Sequence, residues 1–255
     1  MNKKSLYHFP VVMMLSASLL LVACGNEEQK NTKNEEKVEE QNITKKAEEK
    51  VATETKEKEK EKVKEEKRDA GGYFINQKPV QKEHYEKGIL IANKVYPMPK
   101  SFAPGESKEA RAAFNKMNTQ AKKAGFELDA FSTYRSYERQ VELYNNYVAR
   151  DGQEAADTYS ARPGFSEHQT GLAFDIGEVG NSADYADDRF GETEAGKWIA
   201  AHAHEFGFIM RYPQGKEKIT GYKYESWHFR YVGKDIATKI YKDNSTLEEY
   251  LGVNG

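Results

Sequence analysis

Three side chains far apart in the sequence are of the types from which a catalytic metal centre is built. His168 lies in the Gly- and Pro-rich stretch 160–177, SARPGFSEHQTGLAFDIG, and Asp175 follows inside its short apolar run. His228 lies near the C-terminus in Glu225-Ser226-Trp227-His228-Phe229-Arg230-Tyr231. Two imidazoles and a carboxylate suit zinc, and three protein ligands leave a fourth position for water. The metal lowers that water's pKa toward neutrality and polarises a bound carbonyl, as peptide hydrolysis requires. A carboxylate must then take the water's proton and pass it to the leaving amine. Glu225, three residues before His228, is the candidate. In a regular strand residues three apart face opposite sides, so a bulge or turn at Ser226 is needed if both are to reach the metal. Spacing alone leaves a second reading open, in which each histidine is a satisfied buried or surface residue.

The elements that must position these residues interleave helices and strands. Ala110, Phe114, Met117, Ala121 and Ala124 recur at helical spacing over Lys108–Lys123, with Ser107 to cap the start and Gly125 to close the end. Phe126, Leu128 and Ala130 alternate with polar residues, as a half-buried strand does. Ser136 caps a helix running to Asp151 and Gly152, which leaves Arg135 at a strand-to-helix junction. An Arg fork matches a carboxylate with two parallel hydrogen bonds, and Gln140, one turn into the helix, can face the same space. A surface salt bridge is the other reading of Arg135. Further on, the pattern predicts a strand at 172–176, a helix at 194–206 stopped by Gly207, and a strand at 208–212. A polar loop at 213–221, a strand at 227–232, a short helix at 235–241 and a capped turn at 245–248 follow. Residues 71–99 read as short extended pieces and turns. His202 and His204 stand two apart on a helix, point to different faces, and are set aside as ligands.

Composition bounds the possibilities. The chain of 255 residues carries 39 Lys+Arg against 41 Asp+Glu, and this balance gives no support to nucleic-acid binding, which wants a clustered basic excess. Cys24 is the only cysteine, so any metal in the globular part rests on His, Asp and Glu. Lys3 and Lys4 precede an apolar run at 11–22 that ends in Leu21-Val22-Ala23-Cys24. This pattern is a secretory signal over residues 1–23, too short for a stable membrane span. Its ending resembles a bacterial lipobox, which implies a lipid on Cys24 and an extracytoplasmic protein held on the outer face of the bacterial cell membrane. A plain signal with a chance cysteine is the alternative. From 26 to 69 the chain has no aromatic residue and is nearly all Lys, Glu, Asn, Gln and Thr. It cannot bury enough apolar surface to offset its ordering entropy. Residues 24–70 are therefore expected to be a lipidated cysteine followed by a disordered or helical charged stalk. Residues 71–255 form one domain able to bury its own core.

The segments Ser132-Thr133-Tyr134-Arg135-Ser136, Ser166-Glu167-His168-Gln169-Thr170-Gly171-Leu172-Ala173-Phe174-Asp175-Ile176 and Glu225–Tyr231 resemble, in order, the three signature blocks of the VanY/LdcB-type D-alanyl-D-alanine carboxypeptidases. The similarity spans about residues 71–251. It implies an α+β fold of the hedgehog/D,D-peptidase type, a central antiparallel sheet with flanking helices. It also implies one zinc ion on His168, Asp175 and His228, with Glu225 as catalytic base. Arg135 is implied to bind the substrate and assist at the reacting centre, and Gln140 and Ser166 match positions that help hold the terminal D-residue. Thr133 departs from the Gly frequent in the family's Ser-Gly-Tyr-Arg, which bears on the turn before Arg135 and on substrate preference. The implied activity is removal of the terminal D-alanine from peptidoglycan stem peptides; separately, the chain is expected to work as a monomer. The alternatives are L,D-carboxypeptidase or endopeptidase action on stem peptides, or a cell-wall-binding module without turnover. The last has no need of a base beside the metal.

Overall fold

In the computed structural model, which describes residues 67–255, short strands and helices alternate along the chain. The leader, Cys24 and nearly all of the charged stalk lie outside the described residues. Arg68 and Asp69, just ahead of Gly71, are tied to the residues that follow: Arg68 bridges Phe74, and Asp69 meets Arg162 at 2.7 Å.

β1 (His84–Glu86) and β2 (Ile89–Ile91) form an antiparallel hairpin. Its two-residue turn has φ 50° at Lys87 and 79° at Gly88, the positive pair that tight hairpins favour. α1 (Lys108–Lys123) leads to β3 (Leu128–Ser132), and α2 (Tyr137–Asp151) and α3 (Gln153–Ala156) precede β4 (Ala173–Glu178). α4 (Glu194–His202), β5 (Phe208–Tyr212), α5 (Glu217–Thr220) and β6 (Glu225–Tyr231) come next, followed by α6 (Lys234–Lys242) and α7 (Leu247–Leu251). The main sheet is antiparallel with strand order β3-β4-β6-β5. Ser107 and Ser136 cap α1 and α2 as their sequence positions imply, each accepting from the amide three residues on.

Several boundaries differ from the sequence reading, each for a local reason. The helix expected over 194–206 tightens into a 3-10 turn at Ala203–Phe206 before Gly207, whose φ of 89° ends it. The polar loop at 213–221 contains α5. β3 begins at Leu128 rather than Phe126, and β6 begins at Glu225 rather than Trp227. The capping box falls one residue later than the sequence suggests, on Thr246 and Glu249, and Glu248 turns inward to Arg211.

Strand alternation divides the sheet into two chemically different faces. Phe174 and Ile176 of β4, Phe208 of β5 and Phe229 of β6 point to one side. They pack there against Ala110, Phe114, Met117 and Ala121 of α1 and Ala195 and Ile199 of α4. Each fully buried Phe or Ile in such a core contributes roughly 1.5–3 kcal/mol. The intervening residues Asp175, Ile209, Arg211, His228 and Arg230 face the other way, with Ile209, Arg211 and Arg230 beneath β2 and α7 and with Asp175 and His228 on the wall of a cleft. That second face carries the chemistry.

Candidate active site

Register brings the three blocks together. Asp175 of β4 is the cross-strand partner of His228 on β6, and Ser132 of β3 pairs with Asp175 from the other side. His168 reaches the same place from a 3-10 turn, Glu167–Thr170, that leads into β4. One ligand atom from each of His168, Asp175 and His228 lies within 4.8 Å of the others, and all three residues are buried. His168 Nε2 is 3.1 Å from Asp175 Oδ2, and His228 Nδ1 is 3.0 Å from Asp175 Oδ1.

The problem of Glu225 and His228 is solved by an irregularity in β6. Between the pairs Met210↔Phe229 and Tyr212↔Glu225, β5 advances two residues while β6 advances four. The extra length around Ser226 turns both side chains to one side, leaving Glu225 Oε2 3.5 Å from His228 Nδ1. Ser226 is itself pinned, its hydroxyl within reach of the Asp187 and Asp188 carbonyls.

Bracing from the first block fixes the His168 turn. His168 Nδ1 donates to the Thr133 carbonyl at 2.6 Å, which leaves Nε2 for a metal. The Arg135 amide donates back to the His168 carbonyl at 3.1 Å, and the Thr133 hydroxyl donates to Glu106. The threonine that departs from the family pattern thus anchors the turn from outside. Gly171 closes the 3-10 turn at φ 71°, and a Cβ there would meet the Gly105 carbonyl oxygen at 2.0 Å. Gly171→Ala is expected to lower stability by about 1–3 kcal/mol through backbone strain, plus whatever the displaced Gly105 carbonyl costs. Denaturant unfolding of the purified variant reads this directly, and an unchanged midpoint would contradict it.

Arg135 is not a surface salt bridge. It is largely buried, with Nη1 donating to Gln140 Oε1 at 2.9 Å and Nη2 to Ser132 Oγ at 3.1 Å, and it lies 3.8 Å from Asp175 Oδ2. Gln140 sits one layer behind it, only 1% exposed, its amide nitrogen donating to the Ala161 carbonyl at 2.6 Å. The glutamine therefore holds Arg135 in place instead of facing the cleft. The loop it leans on is stapled by Arg162, which meets Asp157 at 2.6 Å and Asp69 at 2.7 Å. Ser166, Arg135 and Glu225 line a cleft of about 360 Å³ whose walls also carry the aromatic rings of Tyr159, Tyr212 and Trp227. His202 and His204 lie elsewhere, the first on Trp198 and Glu205, the second stacked on Tyr241.

Electrostatics suit a cation. Burial works to raise the Asp175 carboxyl, but His168 and His228 overcome it and hold the group well below the usual carboxylate range. Asp175 Oδ1 is buried and makes no hydrogen bond among the described residues, a lone pair left over for an ion. Burial also pushes Glu225 up to about 8 against the pull of His228. His228 is drawn down by burial, yet Asp175 and Glu167 carry it up to about 9. A zinc ligand is a neutral imidazole, so zinc uptake near pH 7 is expected to release at least one proton, because His228 stays protonated up to about pH 9 without metal. Apparent zinc affinity should then climb by up to tenfold per pH unit until about pH 9 and weaken as pH falls. Calorimetry in buffers of different ionisation heat counts the proton.

Sequence reasoning missed the layer behind the ligands. Glu167 accepts from Arg211 Nε at 2.7 Å and Arg230 Nη1 at 2.8 Å, and Arg211 makes a two-pronged pair with Glu248. All four are essentially without exposure. The available signal was an arginine at the inward position of each of two apolar strands.

A His-Asp-His donor set with a carboxylate beside it, on an antiparallel sheet flanked by helices, defines a zinc peptidase. The VanY family model, D-alanyl-D-alanine carboxypeptidase, matches residues 105–234. A D-alanyl-D-alanine carboxypeptidase of Enterococcus faecalis (strain ATCC 700802 / V583) is 33% identical over 189 residues, 67% of this chain and 68% of that one. Among solved structures, the LdcB LD-carboxypeptidase is 48% identical with a TM-score of 0.58, covering 66% of this chain and 87% of that one. The vancomycin resistance D,D-pentapeptidase VanY, in complex with Zn(II), is 34% identical with a TM-score of 0.55, over 63% and 97%. The chain belongs to the VanY family of D-alanyl-D-alanine carboxypeptidases, and it is a zinc carboxypeptidase.

Proposed function

We propose that this chain removes the terminal D-alanine from peptidoglycan stem peptides while tethered outside the membrane through Cys24. The observation that carries the reading is the convergence of His168, Asp175 and His228 on one point of a cleft also lined by Glu225 and Arg135. Zinc held by the three would supply a Lewis acid that polarises the scissile carbonyl and activates water near neutral pH. Glu225 takes the proton of the attacking water and delivers it to the leaving amine as the carbon–nitrogen bond breaks. Arg135, its fork set by Gln140 and Ser132, offers charge and two-pronged geometry to the substrate at the reacting centre. Ser166 presents a hydroxyl from the cleft wall to the terminal D-residue.

The ending Leu21-Val22-Ala23-Cys24 and the charged stretch after it support a lipid anchor on the outer face of the bacterial membrane, with residues 24–70 as a stalk; a monomer is the proposed working unit because one chain supplies the whole ligand set. Such a stalk lets the catalytic domain reach peptides of the wall. Incorporation of labelled fatty acid, lost in Cys24→Ala, tests the anchor.

One observation favours a second reading. Identity to the LD-carboxypeptidase, 48%, exceeds that to the D,D-pentapeptidase, 34%, so L,D-cleavage of tetrapeptide stems is the rival. Purified pentapeptide and tetrapeptide stems, each incubated with and without chelator and weighed, separate the two. Loss of one alanine from the pentapeptide alone is the expected result. Loss from the tetrapeptide alone would establish the rival, and no product from either would end the enzymatic reading.

A further inference from the structure

His228 presents its two ring nitrogens to two different surroundings. Nδ1 faces Asp175 Oδ1 at 3.0 Å and Glu225 Oε2 at 3.5 Å, on the side where the ligand atoms converge. Nε2 points the opposite way, to Glu167 Oε2 at 3.6 Å. That separation is longer than a hydrogen bond. Yet both atoms are buried and neither has a hydrogen-bond partner among the described residues. An orphaned donor site and an orphaned carboxylate oxygen therefore face each other across a gap only slightly too wide.

Glu167 is unable to swing away. Its other oxygen, Oε1, is held by Arg211 Nε at 2.7 Å and by Arg230 Nη1 at 2.8 Å. The charges of this buried set already balance, two arginines against Glu167 and Glu248. A carboxylate serving only as counter-ion to two guanidinium groups has reason to give both oxygens to them. Here one is withheld and aimed at an imidazole.

We propose that Glu167 is a positioning residue for the metal centre: it accepts the Nε2 proton of His228, which fixes the ring so that Nδ1 offers its lone pair to the ion. The inference rests on the zinc reading above. It makes the two imidazoles equivalent in design, since His168 is braced in the same way by the Thr133 carbonyl on its Nδ1. It also assigns a purpose to the buried arginines, which orient the acceptor. Outer partners of this kind typically affect metal affinity by 10–100-fold.

The test compares Glu167→Gln with Glu248→Gln, since Glu248 joins the same ion set through Arg211 without touching His228. Zinc affinity is read by competition with a chromogenic chelator, and folding of the zinc-free proteins by urea. Glu167→Gln is expected to weaken zinc by about 10–100-fold, while Glu248→Gln loses stability and keeps zinc affinity within a factor of about three. Unchanged affinity in Glu167→Gln, or an equal loss in both variants, would overturn the proposal. Should Glu167→Gln fail to fold, long-range 1H–15N spectra of the zinc-loaded wild type decide: a proton on Nε2 and metal on Nδ1 of His228 are expected, and the reverse assignment overturns it. A wild type that binds no zinc would instead count against the proposed function.

Discussion

Glu225→Ala is expected to lower turnover by about 10²–10⁴-fold while the protein still holds one zinc per chain. The carboxylate stands beside the ligand set without belonging to it, 3.5 Å from His228 Nδ1 and on the wall of the cleft. Its removal takes away the group that receives and returns the proton, and leaves the three ligands in place. The loss should therefore fall on kcat, with KM little altered, because the interaction is made as the bond changes and not in substrate binding. The wild-type pH profile carries the same signature. Burial pushes Glu225 up to about 8 in the metal-free site, and the charge of a bound dication pulls it lower. Activity should then fall as pH drops through that lowered value, and the variant should lose this acid limb. Steady-state release of D-alanine, with metal content measured on the same samples, checks both parts. Activity within tenfold of wild type would remove Glu225 from the scheme.

Arg211→Met carries the largest expected effect on stability, a loss of about 3–5 kcal/mol. Arg211 is fully buried and supplies both prongs of the pair with Glu248 and one of the two donors to Glu167. Without it Glu248 keeps only Asn93 Nδ2, at 3.1 Å, and Glu167 keeps Arg230 as its one guanidinium partner. An uncompensated carboxylate in a closed interior is the costly outcome, more than the lost attraction itself. The double substitution Arg211→Met with Glu248→Leu should recover part of the loss, since the stranded charge goes too. Urea unfolding of the zinc-free proteins gives the comparison. A single variant within 1 kcal/mol of wild type would contradict the burial and pairing described.

Much of the site was legible in the sequence because its residues are chemically out of place. A histidine and two carboxylates in apolar stretches, each within a recognisable block, invite a question that a surface lysine does not. The serine caps of α1 and α2 were legible for a similar reason, as short-range signals that need no distant partner. Register was not. That Asp175 stands opposite His228, about 50 residues further along the chain, and that β6 runs irregularly past Ser226 against β5, depends on pairing between separate strands. The buried ion set was hidden by the same kind of non-locality. Arg211 and Arg230 share the sheet face of His228, and a strand read alone sends such residues to solvent. β2 and α7, folded over that face, help bury them, the Leu90 carbonyl accepting from Arg230 and Glu248 from Arg211. The misplaced capping box shows the competition plainly. Ser245 with Glu248 and Thr246 with Glu249 fit the motif equally well. A cap is worth about 1 kcal/mol, less than leaving Arg211 unpaired, so Glu248 goes inward and Glu249 takes the cap.

The central claim is that hydrolysis depends on one zinc ion at the meeting point of His168, Asp175 and His228. Metal-stripped protein, titrated with zinc while D-alanine release from a defined pentapeptide stem is followed, addresses it most directly. No release without metal is expected, then a linear rise that reaches its plateau at one zinc per chain and is absent in Asp175→Ala. Full release from the metal-stripped protein, or a plateau unchanged in Asp175→Ala, would contradict the account.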